Sequence, residues 1–192
     1  MRRVLLLLLL AVALPGTTWA KGTIDLANRG GTITGSNAGL SLTGSVLFGY
    51  GSATGNLGTV SFTTGAFIKG DAAMGGTLAP GGTFTITGNG NGVPNGTIFS
   101  GTFSSSSPVT WTVITLADGS HQYTLSGAIE GNGRVGATVQ LAVVSGKGLF
   151  SGTADLSSGD TSLSVPEPGT LSLMGTGLIG LAGVIRRKLS LS

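Results

Sequence analysis

The chain has 192 residues, 36 of them glycine, no cysteine, one histidine and a formal charge of +3. The basic excess sits at the two ends. Between Lys21 and Ser164, five basic residues face six acidic ones for a net charge of −1, so no basic stripe is present to neutralise phosphates and nucleic acid is excluded as a partner. Without cysteine there is no disulfide framework and no lipid attachment through a thiol, and a single histidine rules out a zinc site of the usual kind.

Arg2 and Arg3 form a positive start, and Val4 to Leu14 is an unbroken apolar run of 11 residues. Pro15 and Gly16 break it, and Thr18-Trp19-Ala20 puts small residues at both positions that a signal peptidase reads. Residues 1–20 therefore read as a secretory signal peptide cleaved after Ala20, with the general secretion machinery as partner. The run is too short to span a membrane as a helix.

Residues 21–164 are expected to form one Gly/Thr/Ser-rich domain, long enough for a real core. No stretch shows a 3.6-residue period, and frequent glycine disfavours helices. The first half carries short apolar runs at Ile33, Leu40–Leu42, Val46–Phe48, Val60–Phe62, Phe67–Ile68 and Thr83–Thr87. In the last of these Phe84 and Ile86 face one way and the threonines the other. Gly88 to Gly96 (GNGNGVPNG) reads as an exposed loop, with a linker between two small units as the alternative.

Alternation of period two is plainer in the second half. Val109, Trp111 and Val113 share a face. So do Tyr123, Leu125, Gly127 and Ile129; then Val135, Ala137, Val139, Leu141 and Val143, opposite Arg134, Thr138 and Gln140; then Phe150, Gly152, Ala154 and Leu156. Asp118-Gly119, Gly131-Asn132-Gly133 and Ser145–Gly148 supply turns between them. Residues 97–164 thus predict an antiparallel meander of about five or six strands. The expected fold is all-β, a single antiparallel β-sandwich or partly closed barrel.

Residues 165–192 change character. Val165-Pro166-Glu167-Pro168-Gly169-Thr170 is an extended, exposed turn, because each proline lacks an N–H and biases its predecessor towards extended geometry. Thr170 to Ile185 is 16 residues without a charge. As a helix it rises about 24 Å, short of a hydrocarbon core of about 30 Å. Arg186, Arg187 and Lys188 follow as a stop-transfer cluster that favours a cytoplasmic end. Extended turn, apolar run and basic end, in that order, resemble the PEP-CTERM sorting signal. The resemblance implies an exported bacterial protein processed by an exosortase-type membrane protease, held in the inner membrane transiently by its single C-terminal helix. It also implies delivery to the cell envelope, outer surface or extracellular matrix, often beside exopolysaccharide. Tails of this type also occur on some ice-binding proteins.

The body offers little chemistry. Asp118, Ser120 and His121 lie within one turn, whereas a catalytic triad converges from separate elements. No nucleophile elbow or phosphate loop occurs. Asp155 and Asp160 flank a Ser-Ser-Gly turn but are too few for a convincing calcium loop. The expectation is a non-catalytic surface or matrix protein without cofactor or metal. The alternative is a carbohydrate-binding β-module in which Trp111 and Tyr123, on facing strands, stack on a sugar; their exposure discriminates the two. A lesser alternative is ice binding through the threonine arrays Thr83, Thr85, Thr87 and Thr110, Thr112.

Overall fold

A computed structural model describes residues 22–144 and 146–165. The signal peptide with Ala20, the apolar run 170–185 and its predicted helix, and the basic cluster lie outside the described residues. Twelve strands are present among them: β1 (Gly22–Arg29), β2 (Thr32–Ser36), β3 (Gly39–Tyr50), β4 (Ala53–Thr63), β5 (Phe67–Asp71), β6 (Gly75–Leu78), β7 (Gly81–Asn89), β8 (Asn95–Phe103), β9 (Val109–Thr115), β10 (His121–Gly131), β11 (Arg134–Val144) and β12 (Thr153–Val165). All belong to one antiparallel sheet. No helix among the described residues is long and apolar enough to cross a membrane.

Several neighbouring strands are halves of one position in the sheet. β1 and β2 both run against β3, with Arg29 opposite Val46 and Thr32 opposite Thr43. Gly30 and Gly31, at φ 65° and 89°, make the break between them; left-handed backbone suits glycine. β8 and β9 likewise share β10, with Phe103 opposite Ile129 and Thr110 opposite Ser126. β4 and β5 run against β7 and β6 in the same way. Counted so, the chain is an up-and-down meander whose last strand returns to its first, β12 pairing with β2 and lying beside β1. The circuit is not a clean barrel, because the broken strands and several bulges interrupt its ladders.

The predicted meander of residues 97–164 is present as β8 to β12. The first half is more regular than its sequence suggests: β3 has 12 residues and β4 has 11. The glycine-rich stretch from Gly88 is not a linker. Gly88 pairs with Gly96 and Asn89 with Asn95, so only a short hairpin tip remains, and Val93 within it is buried.

Inward side chains fill the interior. Phe62 and Phe84 lie parallel at 5.9 Å, with Phe103 edge-on to both and Phe99 edge-on to Phe84. Such offset and edge-on contacts suit aromatic quadrupoles. Burial of these rings and of Ile33, Leu42, Leu47, Ile86, Leu125 and Ile129 supplies the main drive to fold, at about 25 cal/mol per Å² of apolar surface removed from water.

One strand departs from expectation. On β11 the buried positions are Thr138, Gln140 and Ala142, while Val135 is 56% and Val139 42% exposed. The alternation is as read, but the apolar face points outwards. Polar Thr138 and Gln140 tolerate the interior because they are fully hydrogen-bonded there, as described below.

Candidate functional site

Trp111 and Tyr123 come together on β9 and β10, stacked at 5.0 Å and 19°, with Phe150 edge-on to both. Both are 0% exposed. Trp111 Nε1 donates to Ala72 O at 2.9 Å, Tyr123 Oη donates to Ala73 O at 2.7 Å, and Phe150 N donates to Tyr123 Oη at 2.9 Å. The pair is a core nest that pins the loop after β5, and its faces are not open to a sugar. The alternative of sugar stacking by these two rings is therefore not met. Rings in phase with aliphatic neighbours on an inward face bury themselves.

The Asp118, Ser120 and His121 set is a turn. Asp118 Oδ1 accepts from Ser120 N at 2.9 Å and from Ser120 Oγ at 2.6 Å. The Ser120 hydroxyl bond, followed by its backbone bond, holds the Asp118 carboxyl below its usual range. Buried His121 Nδ1 meets no partner among the described residues, so no relay joins the three. Asp155 and Asp160 do not flank a turn either: Ser157-Ser158-Gly159 continues β12, with a bulge opposite Leu141 and Ala142.

Outward positions on β3, β4, β7 and β8 carry hydroxyls in register. Ser41, Thr63 and Thr83 form one row; Ser61, Thr85 and Ser100 a second; Thr59, Thr87 and Thr97 a third. Thr59 and Thr87 hydroxyls meet at 2.7 Å, and those of Thr63 and Thr83 at 2.9 Å. None of these four strands contains a charged residue. The array is wider than the Thr83–Thr87 run alone suggests, because single-strand reading cannot see cross-strand register.

Sequence reasoning missed a buried polar cluster at the seam. Asn28 Nδ2 donates to Gln140 Oε1 at 2.9 Å, and Gln140 Nε2 returns a bond to Asn28 Oδ1 at 3.2 Å. Asn28 Nδ2 also donates to Ser45 Oγ at 2.9 Å, and Gln140 Nε2 to Thr138 Oγ1 at 2.8 Å. Thr138 and Thr161 hydroxyls meet at 2.9 Å. The signal was present in Thr138 and Gln140 alternating with valines, but it reads equally as a wet face.

The seam leads directly to the sorting motif. β12 runs to Val165, and Ser164 Oγ accepts from Val135 N at 3.3 Å. Pro166–Thr170 and Arg186–Lys188 lie outside the described residues. Residues 164–188 match the model of the PEP-CTERM protein-sorting motif. The matched segment therefore begins inside the closing strand, with no spacer between the folded body and the tag. No curated protein and no solved structure matches the chain. The motif implies export, sorting to the cell surface at a membrane, and processing by an exosortase, itself a membrane protein.

Proposed function

We propose that this chain is a non-catalytic structural or interaction protein of the cell envelope or extracellular matrix. On this reading the general secretion machinery exports it, its leader is removed after Ala20, and Thr170–Ile185 with Arg186, Arg187 and Lys188 holds it in the inner membrane. An exosortase cuts near Val165–Thr170 and releases the β-body, which then associates with exopolysaccharide. The observation that carries the reading is the sorting-motif match over residues 164–188, continuous with β12. The body supports a non-catalytic role through what its polar groups already do: Asp118 and Ser120 hold each other, and the seam amides hold each other. In the second reading, carbohydrate binding, the hydroxyl face of β3, β4, β7 and β8 takes the ligand, since the Trp111–Tyr123 stack is buried. The same face would serve the lesser alternative of ice binding.

The test replaces Pro166, Glu167 and Pro168 with alanine together. The expected result is full-length precursor retained in the inner membrane. Normal release of the variant would remove the sorting assignment.

A further inference from the structure

The closing strand runs into the sorting signal with its end still docked. β12 has 13 residues and reaches Val165, and the matched motif begins at Ser164, inside it. The last pair of its ladder to β11 sets Leu163 opposite Gly136. Leu163 is fully buried and packs over that glycine, where an added Cβ would lie 2.8 Å from Leu163 Cδ2. On either side of this anchor the hold is polar and lies at the surface. Ser162 Oγ donates to Asp25 Oδ1 of β1 at 2.8 Å, and Val135 N donates to Ser164 Oγ at 3.3 Å. From Val165 to Thr170, where the apolar run begins, the chain spans at most about 18 Å when extended.

We infer that the end of β12 is a latch on processing: Ser164 and Val165 leave β11 before the exosortase cuts, and Leu163 stops the strand from peeling further. The inference rests on the sorting role proposed above. An enzyme that cuts a peptide bond surrounds the backbone on both sides of it, and main-chain groups already paired with one strand are not open to a second partner. While β12 stays docked, the cut must fall in the short stretch between the folded edge and the apolar run, with the body crowding the enzyme. Freeing Ser164 and Val165 lengthens that stretch by about 7 Å. A strand end held by surface hydrogen bonds opens locally, whereas a fully buried leucine leaves the core only with wider unfolding. Release is thereby coupled to the fold: Leu163 keeps β12 in place, and opening of the two residues after it admits the protease.

Two manipulations of the full chain move the latch in opposite directions. Val135→Cys with Ser164→Cys joins residues that stand opposite each other on β11 and β12. Opposite Cα atoms of an antiparallel pair lie about 4.5–5.5 Å apart, within the range of a disulfide, and the chain has no other cysteine. Precursor is accumulated in its host with the exosortase repressed, oxidised with copper–phenanthroline, and followed after the exosortase is induced. The expected result is that the locked protein stays in the inner membrane as precursor and is released once reductant is added, while each single-cysteine variant is released without it. Asp25→Ala and Val135→Pro loosen the strand end without altering the tail, the first by removing the acceptor of Ser162 and the second by removing the amide that Ser164 accepts. Asp25 is exposed, so its replacement leaves the core intact. Each loosened variant should be released about two- to tenfold faster than the parent, the range of one hydrogen bond. Release of the locked protein at the parent rate overturns the latch, and so do loosened variants released no faster than the parent. The variant with Pro166, Glu167 and Pro168 replaced by alanine separates the two claims: its retention beside release of the locked protein removes the latch alone, whereas its own release removes the sorting role on which the latch rests.

Discussion

Asn28 and Gln140 stand 112 residues apart in sequence and exchange two amide hydrogen bonds in the interior, at 2.9 and 3.2 Å. Asn28 is on the first strand and Gln140 on the eleventh, and the closing strand β12 runs between them. The amides therefore tie the start of the chain to its end across the seam. Ser45, Thr138 and Thr161 complete the cluster, so the amides are buried but paired. Buried polar networks of this kind favour one register over others when every member is satisfied.

Gln140→Ala removes two partners of Asn28 and leaves that amide underpaired in the core. The expected loss is about 1–3 kcal/mol, the cost of leaving a buried polar group unsatisfied. Urea unfolding monitored by circular dichroism measures it. Adding Asn28→Ala to Gln140→Ala should cost less than the two single losses summed, because the second change removes the orphan. Additive losses would mean that the amides do not act as a pair.

Gly159 is the residue that lets the amides meet. A Cβ built there would overlap Gln140 Oε1 and Asn28 Oδ1. Gly159→Ala should therefore destabilise by about 1–3 kcal/mol, in the range of overpacked cores. Gly133→Ala is a useful contrast, since a Cβ there meets no atom within 4 Å and only the positive φ of 69° opposes it. A neutral Gly159→Ala would show that β12 shifts freely at the seam.

Much of the fold was legible. Phe84 and Ile86, Trp111, and Tyr123 with Leu125 all face inwards as their alternation predicts. Asn132-Gly133 makes the two-residue turn between Gly131 and Arg134, with φ 49° and 69°. Strand reading failed where it had to choose a face. Val135, Val139 and Leu141 look like core, and only the partners of Thr138 and Gln140, far off in sequence, send them outwards. The same limit hid the Asn28 cluster and the width of the hydroxyl face. Register across strands is a tertiary property, invisible to a period-two pattern. The sorting motif was legible because its order is carried by contiguous residues.

The aromatic nest predicts a structural role for Trp111. Trp111→Ala should cost about 3–5 kcal/mol, as for other large aromatic truncations in cores. Trp111→Phe loses the bond to Ala72 O and should cost about 1–3 kcal/mol, since that carbonyl is left without this donor. Titrating the protein with soluble polysaccharide should leave Trp111 emission unchanged even where binding is detected by another method. A saturable shift in that emission would mean that the ring reaches a ligand.

The Asp118 carboxyl predicts a local pH response. Its pKa is lowered, first by the Ser120 hydroxyl, so the hairpin gains stability above the unfolded carboxyl range and loses it as pH falls through the lower folded value. Ser120→Ala should move the Asp118 titration upwards, towards an ordinary aspartate, in a carboxyl-detected NMR experiment. An unmoved titration would show that the backbone bonds alone hold it down.

The most direct measurement of the account is the intact mass and location of the protein in its host, with and without the exosortase. With the protease present, the expected mass is that of the β-body without leader or C-terminal tail, found at the outer envelope or matrix. Without the protease, the C-terminal segment through Lys188 stays attached and the protein remains in the inner membrane. A tail retained in both strains would contradict the account and leave a simple membrane-anchored protein.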